Sequence, residues 1–131
     1  MALVPVVDDA DTAGFFRAAA EGRLAVCRCA ACDSLLHAPT AYCRKCGSFG
    51  QRWVDVVPAG RIYSYSVVTH QVHPEFPTPY TLLLIELEDE PQARLIGHLE
   101  GRPPVHIGQR VVADFPAAEG GRPVLPTWRL A

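Results

Sequence analysis

The sequence predicts a mainly β chain in three parts: an N-terminal helix, a four-cysteine zinc ribbon and a C-terminal five-stranded barrel of the OB type. Three observations predict it. Cys29, Cys32, Cys43 and Cys46 form two Cys-x-x-Cys pairs, a spacing at which two tight turns aim four thiolates at one tetrahedral metal ion. Residues 53–131 hold five runs rich in β-branched and aromatic residues, divided by glycine and proline. Ahead of the cysteines, Phe15, Phe16 and Ala19 fall on one side of a helical period.

The helix is expected over residues 8–22. Asp8, Asp9 and Asp11 place negative charge where a helix N-terminus favours it, and Gly22 is a stop signal. So short a helix does not stand alone in water. Its Phe pair must therefore bury against the rest of the chain or against another protein.

Residues 23–52 form the cysteine module, too small to build a core and dependent on a metal as its staple. Each cysteine pair is followed by a turn-forming dipeptide, Asp33-Ser34 and Gly47-Ser48, which lets backbone N–H groups turn back toward the sulfurs. Four sulfurs leave no open ligand position, so the zinc is expected to be structural. Disulfides, a redox pair or unrelated buried thiols are the other readings of the same residues. Cys27, two residues before the first pair, is either a small buried hydrophobe or a surplus thiol. Pro39 lies between the two knuckles.

In residues 53–131 the expected strands are Arg61–His70, Tyr80–Glu88, Ala93–Glu100, Arg110–Phe115 and Pro123–Leu130. Five strands of this length suit a small, partly open OB barrel, with a sandwich fragment as the competing arrangement. Leu82-Leu83-Leu84-Ile85 is apolar on both faces, unlike a half-wet strand, so its outer face needs a cover. Phe15 and Phe16 supply one candidate cover and a partner protein the other, which makes Phe15, Phe16, Leu82 and Leu84 the candidate partner interface. The loop His70–Tyr80 carries His70, His73 and Glu75, either a second metal site or a solvated loop with incidental histidines.

The bulk composition narrows the function. A chain of 131 residues buries enough surface to hold its own core. A net charge of −2 disfavours a nucleic-acid binder that relies on phosphate contacts. The sequence has no apolar run of about eighteen residues, so no membrane span is expected. Residues Met1 to Asp11 do not read as a signal peptide, and thiolates held for a metal fit a reducing, cytoplasmic setting. Neither a nucleophile elbow nor a Gly-rich phosphate loop is present, so no catalytic residue is assigned. The expected division is 1–22 helical segment, 23–52 zinc ribbon and 53–131 OB-fold.

The order of parts resembles a known family, the bacterial and archaeal domain of unknown function thirty-five. The resemblance is carried by Phe15-Phe16 with Glu21-Gly22-Arg23-Leu24, by Arg28-Cys29-Ala30-Ala31-Cys32 and by Tyr42-Cys43-Arg44-Lys45-Cys46-Gly47-Ser48. It continues through Gly60-Arg61-Ile62-Tyr63-Ser64-Tyr65, Pro79-Tyr80, Val105-His106-Ile107-Gly108 ahead of Val111, and Leu125-Pro126. It covers nearly the whole chain. One departure is His37-Ala38-Pro39-Thr40, where the family often has a double proline and an arginine. The resemblance implies a rubredoxin-like ribbon joined to an OB-fold, and a helper in acyl-CoA chemistry. Such a helper is an accessory subunit for a thiolase-like or MaoC-hydratase-like protein, of the kind found in steroid side-chain retro-aldolases and acyltransferases. It further implies a two-plus-two heterotetramer with a CoA thioester as ligand of the complex. Arg28, Arg44, Lys45 and Arg52 then either meet the CoA phosphates or are ordinary solvated cations. The alternatives are a single-stranded nucleic-acid-binding OB module that stacks bases on Tyr63 and Tyr65, and a small acyl-CoA hydrolase.

Overall fold

A computed structural model describes residues 3–131. Met1 and Ala2, which open the expected helical segment, lie outside the described residues. The chain divides into two compact units. One comprises Val4–Val57 and Phe115–Pro126; the other takes Leu3, Pro58–Asp114 and Thr127–Ala131.

In the first unit, helix α1 spans Ala13–Ala20, shorter than the expected 8–22. The reason is local. Asp9 Oδ1 accepts hydrogen bonds from the backbone N–H groups of Asp11 and Thr12, both at 2.9 Å, and Ala13 N donates to Asp9 O at 3.1 Å. These bonds hold residues 9–12 in a turn ahead of the helix, an arrangement aspartate favours over helix interior. The C-terminal end is as expected. Arg23 N donates to Ala18 O at 2.9 Å and Gly22 N to Ala19 O at 3.0 Å, with Gly22 at φ 76°, which is a Schellman turn. The helix buries Ala18 and Ala19. Phe15 and Phe16 are half-buried and meet edge to face, 5.3 Å between centroids.

Strand β1, Leu24–Cys29, pairs antiparallel with β2, Gln51–Val56. The sequence reading assigned no strand to Gln51–Val56, because charged Arg52 and Asp55 interrupt its apolar run. In the ladder both are exposed, one on each face of the strand, while Trp53, Val54 and Val56 are half-buried. β1 is buried at Leu24, Ala25, Val26, Cys27 and Cys29.

The second unit is a five-stranded antiparallel sheet in the order β5-β4-β3-β6-β7. Its strands are β3 Ala59–Val68, β4 Tyr80–Leu87, β5 Arg94–Glu100, β6 Arg110–Asp114 and β7 Thr127–Leu130. All five expected strands are present. The last is shorter than Pro123–Leu130, since Pro123 and Pro126 have no N–H to offer a ladder. A register shift between Ile62 and Ser64 bends β3, as bulges do. The end strands β5 and β7 approach each other: a Cβ on Gly97 of β5 would lie 2.9 Å from Trp128 Cδ1 of β7 and 2.7 Å from Ile85 Cδ1. The sheet therefore curls until Trp128 covers Gly97, which is how a partly open barrel closes over its core. That core includes Ile62, Leu83, Ile85, Leu87, Leu99, Val111 and Trp128. Among the described residues the one buried polar residue, Thr81, donates from Oγ1 to Gly101 O at 3.0 Å.

Leu82–Ile85 resolves into two faces. Leu83 and Ile85 are buried at 1% and 0%, while Leu82 is 36% exposed and Leu84 half-buried. Leu84 pairs with Ile96, itself 75% exposed. The outer face of β4 and β5 thus presents Leu82, Leu84 and Ile96 as an apolar strip with Ser64 and Ser66 beside it on β3.

Candidate metal centre

Cys29 closes β1, and its backbone begins the first knuckle. Cys29 N donates to Ser34 O at 2.9 Å and Asp33 N returns to Cys29 O at 2.9 Å. The second knuckle repeats the pattern one for one: Cys43 N donates to Ser48 O at 2.9 Å and Gly47 N to Cys43 O at 2.8 Å. The residue after each second cysteine is left-handed, Asp33 at φ 62° and Gly47 at φ 77°. This explains the chemistry of the dipeptides. Aspartate and glycine are residues that tolerate that conformation, and each is followed by a serine.

The two knuckles bring all four Sγ atoms within 4.8 Å of one another. Cys29 and Cys46 sulfurs are 3.6 Å apart and those of Cys32 and Cys43 3.7 Å. Sulfurs bound to zinc at about 2.3 Å in a regular tetrahedron lie about 3.8 Å apart, whereas a disulfide needs about 2.05 Å. The donor set therefore fits zinc and does not fit disulfides. Cys29 and Cys43 are buried, Cys32 and Cys46 exposed. Amide groups point at sulfur as expected: Ala31 N and Cys32 N lie 3.4 and 3.5 Å from Cys29 Sγ. The Ser34 hydroxyl, 3.2 Å from Cys32 Sγ, and the Ser34 amide hold that thiol down to about 6. Ser48 lowers Cys46 in the same way. Both serines thus favour the thiolate, the form that binds metal. Cys27 lies outside the cluster, and burial pushes its thiol up, in keeping with a small buried hydrophobe.

The other candidate residues separate. Arg28 Nη1 donates to Asp33 O at 2.8 Å, and the Arg52 guanidinium pairs with the Asp33 carboxylate. Arg28 and Arg52 face each other across the β1–β2 ladder, so both brace the first knuckle. Arg44 and Lys45 instead line a cleft of about 350 Å³ with Leu35, Leu36, His37 and Thr40. Among the described residues, His70, His73 and Glu75 form no metal-holding group. His73 Nδ1 accepts the Glu75 N–H at 3.1 Å, and Glu75 Oε2 accepts the Leu3 N–H at 2.9 Å.

Sequence reasoning missed Trp53 and Gly14. Trp53 packs against the buried cluster formed by Cys27, Cys29, Leu36 and Cys43. A Cβ on Gly14 of α1 would lie 2.1 Å from the Trp53 Nε1. Only the lack of a side chain on that helix face signals the contact. Gln51 Nε2 also ties the turn before α1 to the loop between the knuckles, donating to Asp11 O at 2.9 Å and Thr40 O at 3.0 Å.

Two family profiles match the chain in order: "ChsH2, rubredoxin-like zinc ribbon domain" over residues 16–50 and "ChsH2, C-terminal OB-fold domain" over residues 53–116. A solved structure described as "Ltp2-ChsH2(DUF35) aldolase" superposes with a TM-score of 0.81 at 38% identity, covering 96% of this chain and 98% of that one. The "Probable enoyl-CoA hydratase alpha subunit" of Thermomonospora curvata is 41% identical over 111 residues, 83% of this chain. The chain spans about a third of that relative's length, 34%. No helix among the described residues is long and apolar enough to cross a membrane.

Proposed function

The chain belongs to the ChsH2 (DUF35) family, and from that premise we propose that it is a non-catalytic, zinc-containing accessory subunit of a thiolase-like enzyme acting on acyl-CoA thioesters. The observation that carries the reading is that the likeness to a chain of an aldolase runs through ribbon and barrel together. The reaction served is retro-aldol C–C cleavage of a steroid-type side chain, or acyl transfer. The likeness to a hydratase subunit supports the acyl-CoA substrate class and keeps a MaoC-hydratase-like subunit as a second partner.

Each part of the chain then has a task. Cys29, Cys32, Cys43 and Cys46 hold a zinc ion that fixes the ribbon and takes no part in chemistry. Phe15 and Phe16 on α1 of one unit, and Leu82 and Leu84 on the outer sheet face of the other, each meet the partner in this reading, because apolar side chains left partly open to solvent in a patch mark an interface. Of the four cations, Arg44 and Lys45, which line the ribbon cleft, meet the CoA phosphates in this reading, while Arg28 and Arg52 hold Asp33. Thiolase-fold partners that dimerise repeat each docking site by two-fold symmetry, giving two copies of each subunit.

The test is co-purification with a thiolase-like subunit, followed by molar mass and turnover of an acyl-CoA substrate. The expected result is a two-plus-two complex that is active, and a chain that alone turns over nothing. Turnover by the isolated chain, or loss of turnover on conservative replacement of one of its side chains with assembly and zinc intact, would overturn the accessory role.

A further inference from the structure

Trp53 stands between the metal site and α1. On one side it packs against the buried cluster of Cys27, Cys29, Leu36 and Cys43, which contains two of the four ligand cysteines, both fully buried at 0%. On the other side its indole fills the space in front of Gly14, where an added Cβ would come within 2.1–2.3 Å of Nε1, Cδ1 and Cε2. Polar ties run the same way. Asp11 Oδ1, just ahead of α1, accepts the Ala41 N–H from the loop between the knuckles at 2.8 Å. Gln51 bridges Asp11 and Thr40. Gln51 and Trp53 lie on the same face of β2, opposite Cys29 and Cys27 in the ladder. The helix is thus seated on atoms whose positions the four sulfurs decide.

We propose that zinc binding and the seating of α1 are one linked equilibrium, coupled through Trp53. Coupling between two sites is reciprocal: whatever the metal adds to helix seating, helix seating adds to metal affinity. Gly14 and Asp11, neither of them a ligand, are therefore positioning residues for the zinc site. The inference rests on the four-cysteine zinc reading. Its consequence for docking rests on the proposal that Phe15 and Phe16 face the partner, since zinc loading then governs whether that face is presented.

The experiment uses the full chain. Zinc affinity is measured by competition with a chromophoric chelator for wild type, Gly14→Val, Asp11→Ala and Arg17→Ala, the last changing an exposed side chain of α1. In parallel, hydrogen exchange of residues 13–20 is followed before and after chelation, with the β3–β4 amides as internal reference. Trp53 emission is read in a Trp128→Phe background. The coupling predicts a zinc affinity about fivefold or more weaker for Gly14→Val. Asp11→Ala shifts less in the same direction, and Arg17→Ala is unchanged. Zinc removal should raise exchange over 13–20 and shift Trp53 emission. Protection of 13–20 that survives chelation overturns the inference, and so does a Gly14→Val chain with released α1 and wild-type zinc affinity. A wild-type chain that binds no zinc overturns the inference and the metal centre together. Intact coupling in a chain that binds no partner would count against the proposed function alone.

Discussion

The ribbon unit and the sheet unit contain comparable lengths of chain but are held together differently. The sheet buries Ile62, Leu83, Ile85, Leu87, Leu99, Val111 and Trp128 around one core, each contributing about 1.5–3 kcal/mol by leaving water. Around the sulfurs, the ribbon has Cys27, Cys29, Leu36 and Cys43, with Trp53 alongside. The unit also buries Leu24, Ala25 and Val26 of β1 and Ala18 and Ala19 of α1, but around the sulfurs one leucine and one half-buried indole do not close a core, and the knuckles depend on what the four sulfurs bind. The comparison teaches that the metal is a local device. It substitutes for hydrophobic burial at the knuckles of one unit, and none of its four ligands lies in the other.

The largest effect should come from removing that device. Cys43→Ala, or chelation, is expected to abolish zinc binding and unfold the ribbon, while the β3–β4 ladder keeps its amide protection. Structural zinc contributes an apparent 10–16 kcal/mol in small zinc peptides at pH 7, roughly, more than the ribbon's own contacts replace. Metal analysis and hydrogen exchange on the two units check this. Simultaneous loss of protection in both would show that the units do not separate in this way.

These differences were unevenly legible in the sequence. The metal site was readable because its determinants are local: two short spacings and two dipeptides that permit a left-handed turn, Asp33-Ser34 and Gly47-Ser48. The sheet strands were readable from composition and punctuation. What stayed hidden depends on residues distant in sequence. Gly14 against Trp53 and Gly97 against Trp128 are close approaches, and a glycine in a sequence does not say what will press on it. Arg28 and Arg52 read as a loose basic group until the β1–β2 register set both beside Asp33. The doubly apolar run on β4 failed to reveal that only alternate residues, Leu83 and Ile85, enter the core, because leucine on an outer face looks the same as leucine on an inner one.

A second way to break the comparison is to attack the sheet where it closes. Trp128 is 6% exposed and covers Gly97. Trp128→Ala should destabilise the sheet by about 3–5 kcal/mol, the usual range for deleting a large core aromatic. Zinc stoichiometry at saturating metal should remain at one per chain, since no ligand is touched. Denaturant unfolding and metal analysis of the same sample measure both halves of the prediction. A Trp128→Ala chain of normal stability would mean that barrel closure contributes little.

The smallest effect sharpens the contrast through pH. Glu88, on the surface beyond β4, accepts from Arg110 Nε at 2.5 Å, and that hydrogen bond holds its carboxyl below the ordinary 4.5. A carboxyl depressed in the folded state favours folding more as the proton leaves it. Its contribution is therefore complete above pH 4.5, the value in the unfolded chain, and is lost as pH falls through the lower folded value. Arg110 stays charged throughout, its own pKa raised by the same hydrogen bond. Because the pair is solvent-exposed, the loss should be slight and should shrink further with added salt. The ribbon should respond to acid earlier and more steeply, since protons compete with zinc for all four thiolates. Unfolding of the sheet and retention of zinc, each followed from neutral pH downward, should therefore part company, with metal leaving before the sheet weakens. Glu88→Gln should remove the small acid-dependent component of sheet stability and leave the pH of zinc release where it was; a shift in zinc release would mean that the two units share their acid response.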